Sequence, residues 1–229
     1  MDALIAAVRN NAQWCDAVVR AQGGATRWSK GLWQSLSPPP RFYPDAITLT
    51  ADATLGDVAR VHPGRYRSVK DSFATLDLSS LGLKILFDAQ WIHRAAGRAI
   101  SATPVDGVTW RAVRDSADLA KWERSFRGNE DERVFAPELL RSSEICFIGG
   151  WREADCVAGA VCNRHAGVCA ISNVFTPDDS RADYLADLVA RAADWAGTDA
   201  LVGYETDVTA WLALGFAALG RLRIWQQPP

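Results

Sequence analysis

The sequence predicts an α/β fold, of the α+β type with a mixed sheet, on two observations. The chain opens with an amphipathic helical pattern followed by short strand-like segments, and its second half alternates strands with helical patterns. Helices that alternate with strands pack against a sheet containing parallel neighbours. With 229 residues, 48% of them apolar and 23% charged, the chain is long enough for one large domain or two smaller ones.

The first predicted element is a helix over residues 3–21, which Gly23 and Gly24 end. Its apolar stripe consists of Leu4, Ile5, Val8, Ala12, Cys15, Val18 and Val19. A strand follows at 31–36. The prolines at 38–40 then predict a loop or a sheet edge, because proline cannot donate a hydrogen bond to a neighbouring strand.

Three further strands complete the first half, at 46–50, 68–76 and 83–93. A short helix that Asp52 or Thr54 caps separates the first two of them. The last stretch alternates apolar and polar residues over most of its length, which is typical of a strand with one buried face.

A linker is predicted between the halves. Residues 95–106 are small and polar and contain Pro104, so we place a domain boundary near that proline. The two predicted domains are an N-terminal α/β unit at 1–104 and a C-terminal unit at 105–229.

The second half begins with a strand at 108–113 and a helix that Asp115 or Ser116 caps and that ends near Phe126. Pro137 then starts a short helix, at a position where the missing N–H of proline is not needed.

Three successive strands are predicted at 145–151, 156–162 and 168–176, joined by turns of hairpin length. A strongly amphipathic helix follows at 181–195, and Gly197 ends it.

A strand at 201–205, a helix that Thr206 or Asp207 caps, and a strand at 219–225 complete the chain. The predicted arrangement is an antiparallel meander followed by helical crossovers to parallel neighbours.

This order resembles the GNAT superfamily of acyl-CoA N-acyltransferases over about residues 108–226. Segment 171–177 is similar to the family's fourth strand and its exit, 210–216 to its late helix ending in Leu-Gly-Phe, and 220–225 to its last strand. The second half is therefore identified as a GNAT-like domain and a degenerate member of the superfamily.

The resemblance implies a site for acetyl-CoA or another acyl-CoA. In the family, the cofactor lies between two splayed strands that correspond here to 168–176 and 201–205. Its pyrophosphate rests at the start of the next helix, where free N–H donors and the positive end of the helix dipole attract phosphate. The implied cofactor-binding residues are Val174, Phe175, Thr176, Ser180, Arg181 and Ala182.

The loop before that helix departs from the family pattern. Residues 177–184 lack the glycines that let a phosphate approach the backbone closely. Asp178, Asp179 and Asp183 add negative charge there, which ordinary helix capping also selects. The loop is therefore either a pyrophosphate site with Arg181 as its basic residue or a plain capped helix.

The predicted catalytic residues are Tyr204 and Glu205. Trp211 stands where many family members carry a tyrosine as general acid, and an indole does not transfer a proton at neutral pH. Tyr204 is the nearest substitute, and Glu205 is the candidate base for the acceptor ammonium. The alternative is that Glu205 and Asp207 only end a strand and cap a helix.

The two halves share a weak repeat. Segments 81–86 and 91–92 resemble segments 214–219 and 224–225. The first half is therefore interpreted as a shorter, degenerate GNAT-like unit of a tandem repeat, with a ligand cleft between the halves. Chance similarity is the alternative, because the shared letters are few and apolar.

Composition argues against several classes of function. The net charge of −2 and the pI of about 5.9 lack the basic footprint of a nucleic-acid-binding protein. No apolar run approaches the roughly 18 residues of a membrane span, and the start of the sequence lacks a secretory signal. We expect a cytoplasmic protein whose partner is a small-molecule ligand, not a nucleic acid or a membrane.

No metal site is predicted, because Cys156, Cys162, His165 and Cys169 lack the paired spacing of zinc ligands. The ten tryptophans are interpreted either as core residues or as an aromatic ligand pocket.

The resemblance implies an N-acyltransferase that moves an acetyl group to a small amine or a similar acceptor. The alternative is a non-catalytic ligand-binding or interaction protein that has lost the cofactor loop. A different reaction on the same scaffold is a third hypothesis, since a fold does not fix a function.

Overall fold

The computed structural model describes residues 2–61, 68–98, 100–128, 133–178 and 181–228. The helices are α1 (Ala3–Ala21), α2 (Leu55–Ala59), α3 (Ser116–Arg127), α4 (Arg181–Ala196) and α5 (Thr209–Ala213), with 3₁₀ helices at Ser79–Leu81 and Pro137–Arg141. The strands are β1 (Thr26–Trp28), β2 (Leu32–Ser35), β3 (Ala46–Thr48), β4 (Ser68–Asp71), β5 (Lys84–Arg94), β6 (Thr109–Ala112), β7 (Ile145–Arg152), β8 (Asp155–His165), β9 (Val168–Phe175), β10 (Ala200–Glu205) and β11 (Ala217–Gln226). Within these ranges, no helix combines the length and the apolar character needed to cross a membrane.

All of these strands belong to one mixed sheet, in the order β1-β2-β3-β4-β11-β5-β10-β9-β8-β7-β6. β3 is parallel to β4 and β9 is parallel to β10, whereas the other neighbours are antiparallel. The predicted α/β class with a mixed sheet is therefore confirmed. The predicted meander of the second half corresponds to β7, β8 and β9, which pair in sequence order.

The last strand does not lie where the sequence analysis predicts. A helical crossover was expected to bring β11 beside β10 as a parallel neighbour, and this prediction is wrong. β5 lies between them and is antiparallel to both, with Trp91 opposite Tyr204 on one side and opposite Gly220 on the other. Apolar alternation identifies a strand but not its neighbours, and the eleven-residue β5 is long enough to pair along both edges.

The strand order is similar from both ends of the sheet, apart from one additional strand, β6, in the second half. In each half, an antiparallel run leads through a helix to a parallel strand: β1–β3 lead to β4, and the four strands β6–β9 lead to β10. Each half then reaches a long strand after a glycine with positive φ, Gly82 at 75° and Gly215 at 84°, a conformation that glycine adopts without strain. These long strands, β5 and β11, pair with each other at the centre, and each is inserted into the other half's part of the sheet.

The two long helices cover opposite faces of the sheet. Ala170 and Val202 pack in one hydrophobic cluster with α1, whereas Ile171 and Leu201 pack in another with α4. Because consecutive side chains of a strand point to opposite faces, α1 and α4 lie on either side of β9 and β10. α3 lies on the α1 side, since its Trp122 belongs to the α1 cluster.

A buried amide fixes α1 to the sheet. Nδ2 of Asn10 donates to the backbone carbonyls of Asn163, His165 and Val168 at 3.0, 3.2 and 3.0 Å. Nδ2 of Asn163 in turn donates to Oδ1 of Asn10 at 2.7 Å. The carbonyls belong to the end of β8 and the start of β9, so this network sets the position of α1 over their turn.

Element boundaries follow the local capping chemistry. Thr54, and not Asp52, caps α2, and its side chain forms a reciprocal capping box with Asp57. Asp115 caps α3 by accepting from two backbone N–H groups. The helix predicted at Pro137 is a 3₁₀ helix, and the three-residue β1 is too short for its alternation to predict it.

The interleaving of β5 and β11 predicts that residues 105–229 do not fold without the first half. This fragment would expose both edges of β11 and lose the core residues Trp91 and Ile92, each 1% exposed in the full chain. We expect an NMR spectrum without chemical-shift dispersion for the fragment alone, and a dispersed spectrum after co-expression with residues 1–104. A cooperative thermal transition of the isolated fragment would show that β5 is dispensable.

Candidate functional site

β9 and β10 start as neighbours and then separate. Their parallel pairing is confined to residues 168–170 and 200–202. β9 continues to Phe175 and β10 to Glu205 without pairing with each other. Gly203 lies at the fork, where a Cβ atom would be 2.9 Å from the carbonyl oxygen of Ile171. The strands therefore open a slot, as the resemblance implies.

A bulge in β9 shapes one side of the slot. The pairing with β8 shifts by one residue between Val161 and Gly159, and Asn173 there has a φ of 51°. The bulge turns the Asn173 side chain to the α1 side, where its Oδ1 accepts from Nε1 of Trp14 at 3.2 Å and lies 3.5 Å from the Tyr43 hydroxyl. Burial raises the pKa of Tyr43 well above its usual value, so this hydroxyl stays a donor.

A cavity of about 690 Å³ lies beside the slot. α1, the loop at 39–45 and strands of both halves form its wall. Trp14 and Trp91 line it, together with the exposed side chains of Phe42 and Leu86. Trp14 and Trp91 are themselves buried core residues, as is Trp122, so the interpretation as core residues is confirmed for these three and an aromatic ligand pocket stays a prediction.

A buried lysine stands against the predicted catalytic tyrosine in this cavity. Nζ of Lys70 on β4 donates to the hydroxyl of Tyr204 at 3.2 Å and to Oδ1 of Asn11 at 2.7 Å. The ammonium also lies 4.3 Å from the centroid of the tyrosine ring, and Trp91 packs edge-on against that ring at 5.4 Å. Tyr204 is thus held in place from two sides, with its own hydroxyl proton available to another acceptor.

Glu205 projects from the other face of β10. Tyr204 packs in the α1 cluster, so alternation places Glu205 on the α4 side, near Arg181. Burial raises the pKa of Glu205 to about 7, while Arg181 opposes this rise and Asp207 adds to it. The side chains of Tyr204 and Glu205 therefore leave β10 in opposite directions, and both residues line the cavity beside the slot.

The predicted cofactor-binding residues follow the slot to the start of α4. Val174 lines the cavity, and Phe175 packs against Trp122 at 5.0 Å between ring centroids. The hydroxyl of Thr176 is buried without a hydrogen-bond partner among the described residues. Arg181 and Ala182 are exposed in the first turn of α4, and Ser180 lies outside the described residues.

Trp211 belongs to the core. It is 1% exposed and packs edge-on against Phe216 with ring centroids 5.1 Å apart. The cysteines at 156, 162 and 169 are also buried. In the described part of the chain, no group of three or more His, Cys, Asp or Glu side chains is arranged to hold a metal ion.

Sequence reasoning does not identify Asn11, Tyr43, Lys70 and Asn173 as residues of the site. The available signal is a lysine in the middle of the strand at 68–71, because a charged residue in a buried strand needs a partner. Which face it occupies depends on a pairing between distant segments that the local pattern does not specify.

No protein-family model and no curated protein matches the sequence.

Solved structures nevertheless match over nearly the whole chain. A GCN5-related N-acetyltransferase from Kribbella flavida is 17% identical, with a TM-score of 0.65 over 97% of this chain and 96% of that one. A functionally unknown conserved protein from Staphylococcus epidermidis is 11% identical, with a TM-score of 0.63 over 89% and 93%. A GCN5-related N-acetyltransferase-like protein from Streptococcus suis is 13% identical, with a TM-score of 0.55 over 95% of both chains.

Identities this low show a likeness of fold alone. The aligned portions include both halves of the chain, so the likeness is not restricted to the second half. With the slot between β9 and β10 and these structural neighbours, the chain has the fold of the GNAT superfamily of acetyltransferases.

Proposed function

We propose that the protein is an acyl-CoA-dependent N-acyltransferase that transfers an acetyl group to a small amine. The slot between β9 and β10 carries this proposal, because it joins a cavity on the α1 side to the start of α4 on the other side. The fold of the solved neighbours supports it, although fold alone does not fix a reaction.

Acetyl-CoA, as a substrate, would lie in the slot along Val174, Phe175 and Thr176. The buried Thr176 hydroxyl, which has no partner among the described residues, fits a polar ligand there. The first turn of α4, with Arg181 and Ala182, offers N–H groups and the positive end of a sixteen-residue helix to the pyrophosphate. Ser180 is included on the resemblance alone. When bound, the cofactor supplies an acyl thioester, and the transfer forms a C–N bond while the C–S bond breaks.

Glu205 and Tyr204 are proposed to move the two protons of the reaction. A carboxyl with a pKa of about 7 is partly ionised at neutral pH and suits the removal of a proton from the acceptor ammonium, directly or through water. Tyr204 is proposed to protonate the departing thiolate. The ammonium of Lys70, 3.2 Å from its oxygen, would stabilise the phenolate that results.

A non-catalytic ligand-binding protein is the second candidate. The acidic Asp183 in the first turn of α4 and the absence of glycine from 177–184 favour it, because they weaken attraction for a pyrophosphate. On this alternative, the cavity binds a small molecule without turnover.

We also propose that the chain is a tandem repeat whose degenerate first unit is 1–104 and whose second is 105–229. The similar strand order of the two halves, apart from β6, and the equivalent glycines Gly82 and Gly215 support this interpretation. On this view, the two units exchange their last strands.

Blocking the fork is predicted to abolish acetyl-CoA binding. At about 100 times Kd, the ligand adds about 2.7 kcal/mol to the free energy of unfolding and raises the Tm of a chain this size by roughly 5–10 °C. We expect this shift in the wild type and in Ala200→Val, where β9 and β10 are still paired, but not in Gly203→Val. No shift in the wild type at millimolar acetyl-CoA would contradict the proposed function.

Tyr204→Phe is predicted to lower kcat by about 10²-fold or more, with little change in the KM for acetyl-CoA, because the variant cannot donate a proton. The matched control is Tyr184→Phe. The hydroxyl of Tyr184 accepts a hydrogen bond from Arg152 at 3.0 Å, and Tyr184 does not line the cavity. Thiol release measured in steady state checks both variants. An unchanged kcat in Tyr204→Phe would show that Tyr204 does not donate the proton.

The pKa of Glu205 predicts a pH-dependent stability. The folded chain holds this proton more tightly than the unfolded chain, since the pKa rises from 4.5 to about 7. The free energy of unfolding should therefore fall as the pH rises from about 4.5 to about 7, by at most about 3 kcal/mol, and stay level above.

Urea denaturation of the wild type and Glu205→Gln between pH 4.5 and 8 checks this prediction. The free energy of unfolding of Glu205→Gln should not fall between pH 4.5 and 7, whereas that of the exposed control Glu138→Gln should fall as in the wild type. A difference between wild type and Glu205→Gln that does not vary with pH would show that the carboxyl titrates outside this range.

A further inference from the structure

Lys70 is a buried cation with no acidic partner in the described part of the chain. Only 3% of the residue is exposed, and its ammonium is bonded to two neutral oxygens, of Asn11 and Tyr204. No carboxylate of the described residues lies within ion-pair distance of its Nζ. Removing such a charge from water is unfavourable unless an anion compensates for it.

The neighbouring groups do not supply that anion. Burial raises the pKa of the Cys15 thiol to about 11, so it is neutral at physiological pH. Oδ2 of Asp45 accepts from the backbone N–H of Ser68 at 2.6 Å, and Asp71 accepts from the backbone N–H groups that follow it in the chain. Glu205 lines the same cavity, but the charged groups that act on its carboxyl are Arg181 and Asp207, not Lys70.

We propose that Lys70, with the amide nitrogen of Asn11, binds the carboxylate of the acceptor, so that the acceptor is an amino acid or a related amine with one carboxylate. This inference rests on the proposed acyl transfer and names the substrate class for it. The ammonium has three N–H donors and uses two of them within the protein, which leaves the third for the ligand.

The rest of the site fits a monoanion with an apolar body. The amide oxygen of Asn11 accepts from Lys70, and its amide nitrogen makes no hydrogen bond with the described residues, so it is a second donor at the cavity wall. Trp14, Tyr43 and Trp91 give the wall aromatic surface. One lysine compensates for one negative charge, which favours a carboxylate over a dianionic phosphate.

Binding of the carboxylate at Lys70 would also place the acceptor amine close to Tyr204 and the slot. Tyr204 touches Lys70 and is the proposed proton donor. An acceptor held by its carboxylate at Lys70 and Asn11 therefore has its amino group within the same cavity as the slot, and this positioning does not require any contact with the pyrophosphate end of the cofactor.

The test compares acceptors that differ only in the carboxylate. Thiol release from acetyl-CoA is measured with the twenty L-amino acids and with their decarboxylated amines, such as L-phenylalanine against 2-phenylethylamine. The best amino acid is expected to exceed its amine in kcat/KM by at least about 30-fold, as for a buried charge pair. O-Phosphoethanolamine tests the phosphate alternative and is expected to be a poor acceptor.

Lys70→Met is compared with Lys84→Met, an exposed lysine of β5. Lys70→Met should raise the acceptor KM at least about 30-fold for the amino acid and leave that of the amine and of acetyl-CoA unchanged. Its Tm without ligand should equal or exceed the wild-type value, because the variant no longer buries an uncompensated charge.

Several results would overturn the carboxylate site. These are equal turnover of acids and amines, preference for O-phosphoethanolamine, an unchanged acceptor KM in Lys70→Met, or acetyl-CoA binding without turnover of any amino acid. The comparison of acids with amines uses the wild type alone, so it decides the question even when Lys70→Met does not fold. Absence of an acetyl-CoA thermal shift would instead count against the proposed function itself.

Discussion

The slot depends on β10 keeping one hydrogen-bonded neighbour while it leaves the other. β10 stays paired with β5 through Glu205 opposite Gln90, and β9 stays paired with β8 through Phe175 opposite Gly159. Each backbone is therefore supported on its outer edge where the two strands part. The N–H and C=O groups on the inner edges face the slot and need partners from a ligand or water, because unpaired buried backbone groups are unfavourable. The insertion of β5 is thus the constraint on which the site rests.

The same insertion makes the cavity a product of both halves. β5 and β11 join β4 to β10 in one sheet, so that Lys70 of β4 reaches Tyr204 of β10 across the α1 face. α1, from the start of the chain, covers this face and is fixed to β8 and β9 by Asn10. A chain in which the halves folded as separate sheets would not bring these groups together.

Local pattern predicts much of the second half, because its strands are hairpin neighbours and α4 has a clear apolar stripe. The divergence of β9 from β10 was expected only through the family resemblance, since nothing in either strand's own sequence requires it. The insertion of β5, the bulge at Asn173 and the contact of Lys70 with Tyr204 depend on pairings between residues far apart in the chain. Periodicity within a short window carries no information on such pairings. The opposite orientations of Tyr204 and Glu205 do follow from simple alternation along a strand.

The most direct measurement is a crystal structure of the protein grown with acetyl-CoA. The account predicts ligand density between β9 and β10, with the thioester at the cavity near Tyr204 and the pyrophosphate end toward Arg181. Strands β9 and β10 hydrogen-bonded to each other as far as Phe175 and Glu205, or a ligand bound on another surface, would contradict it.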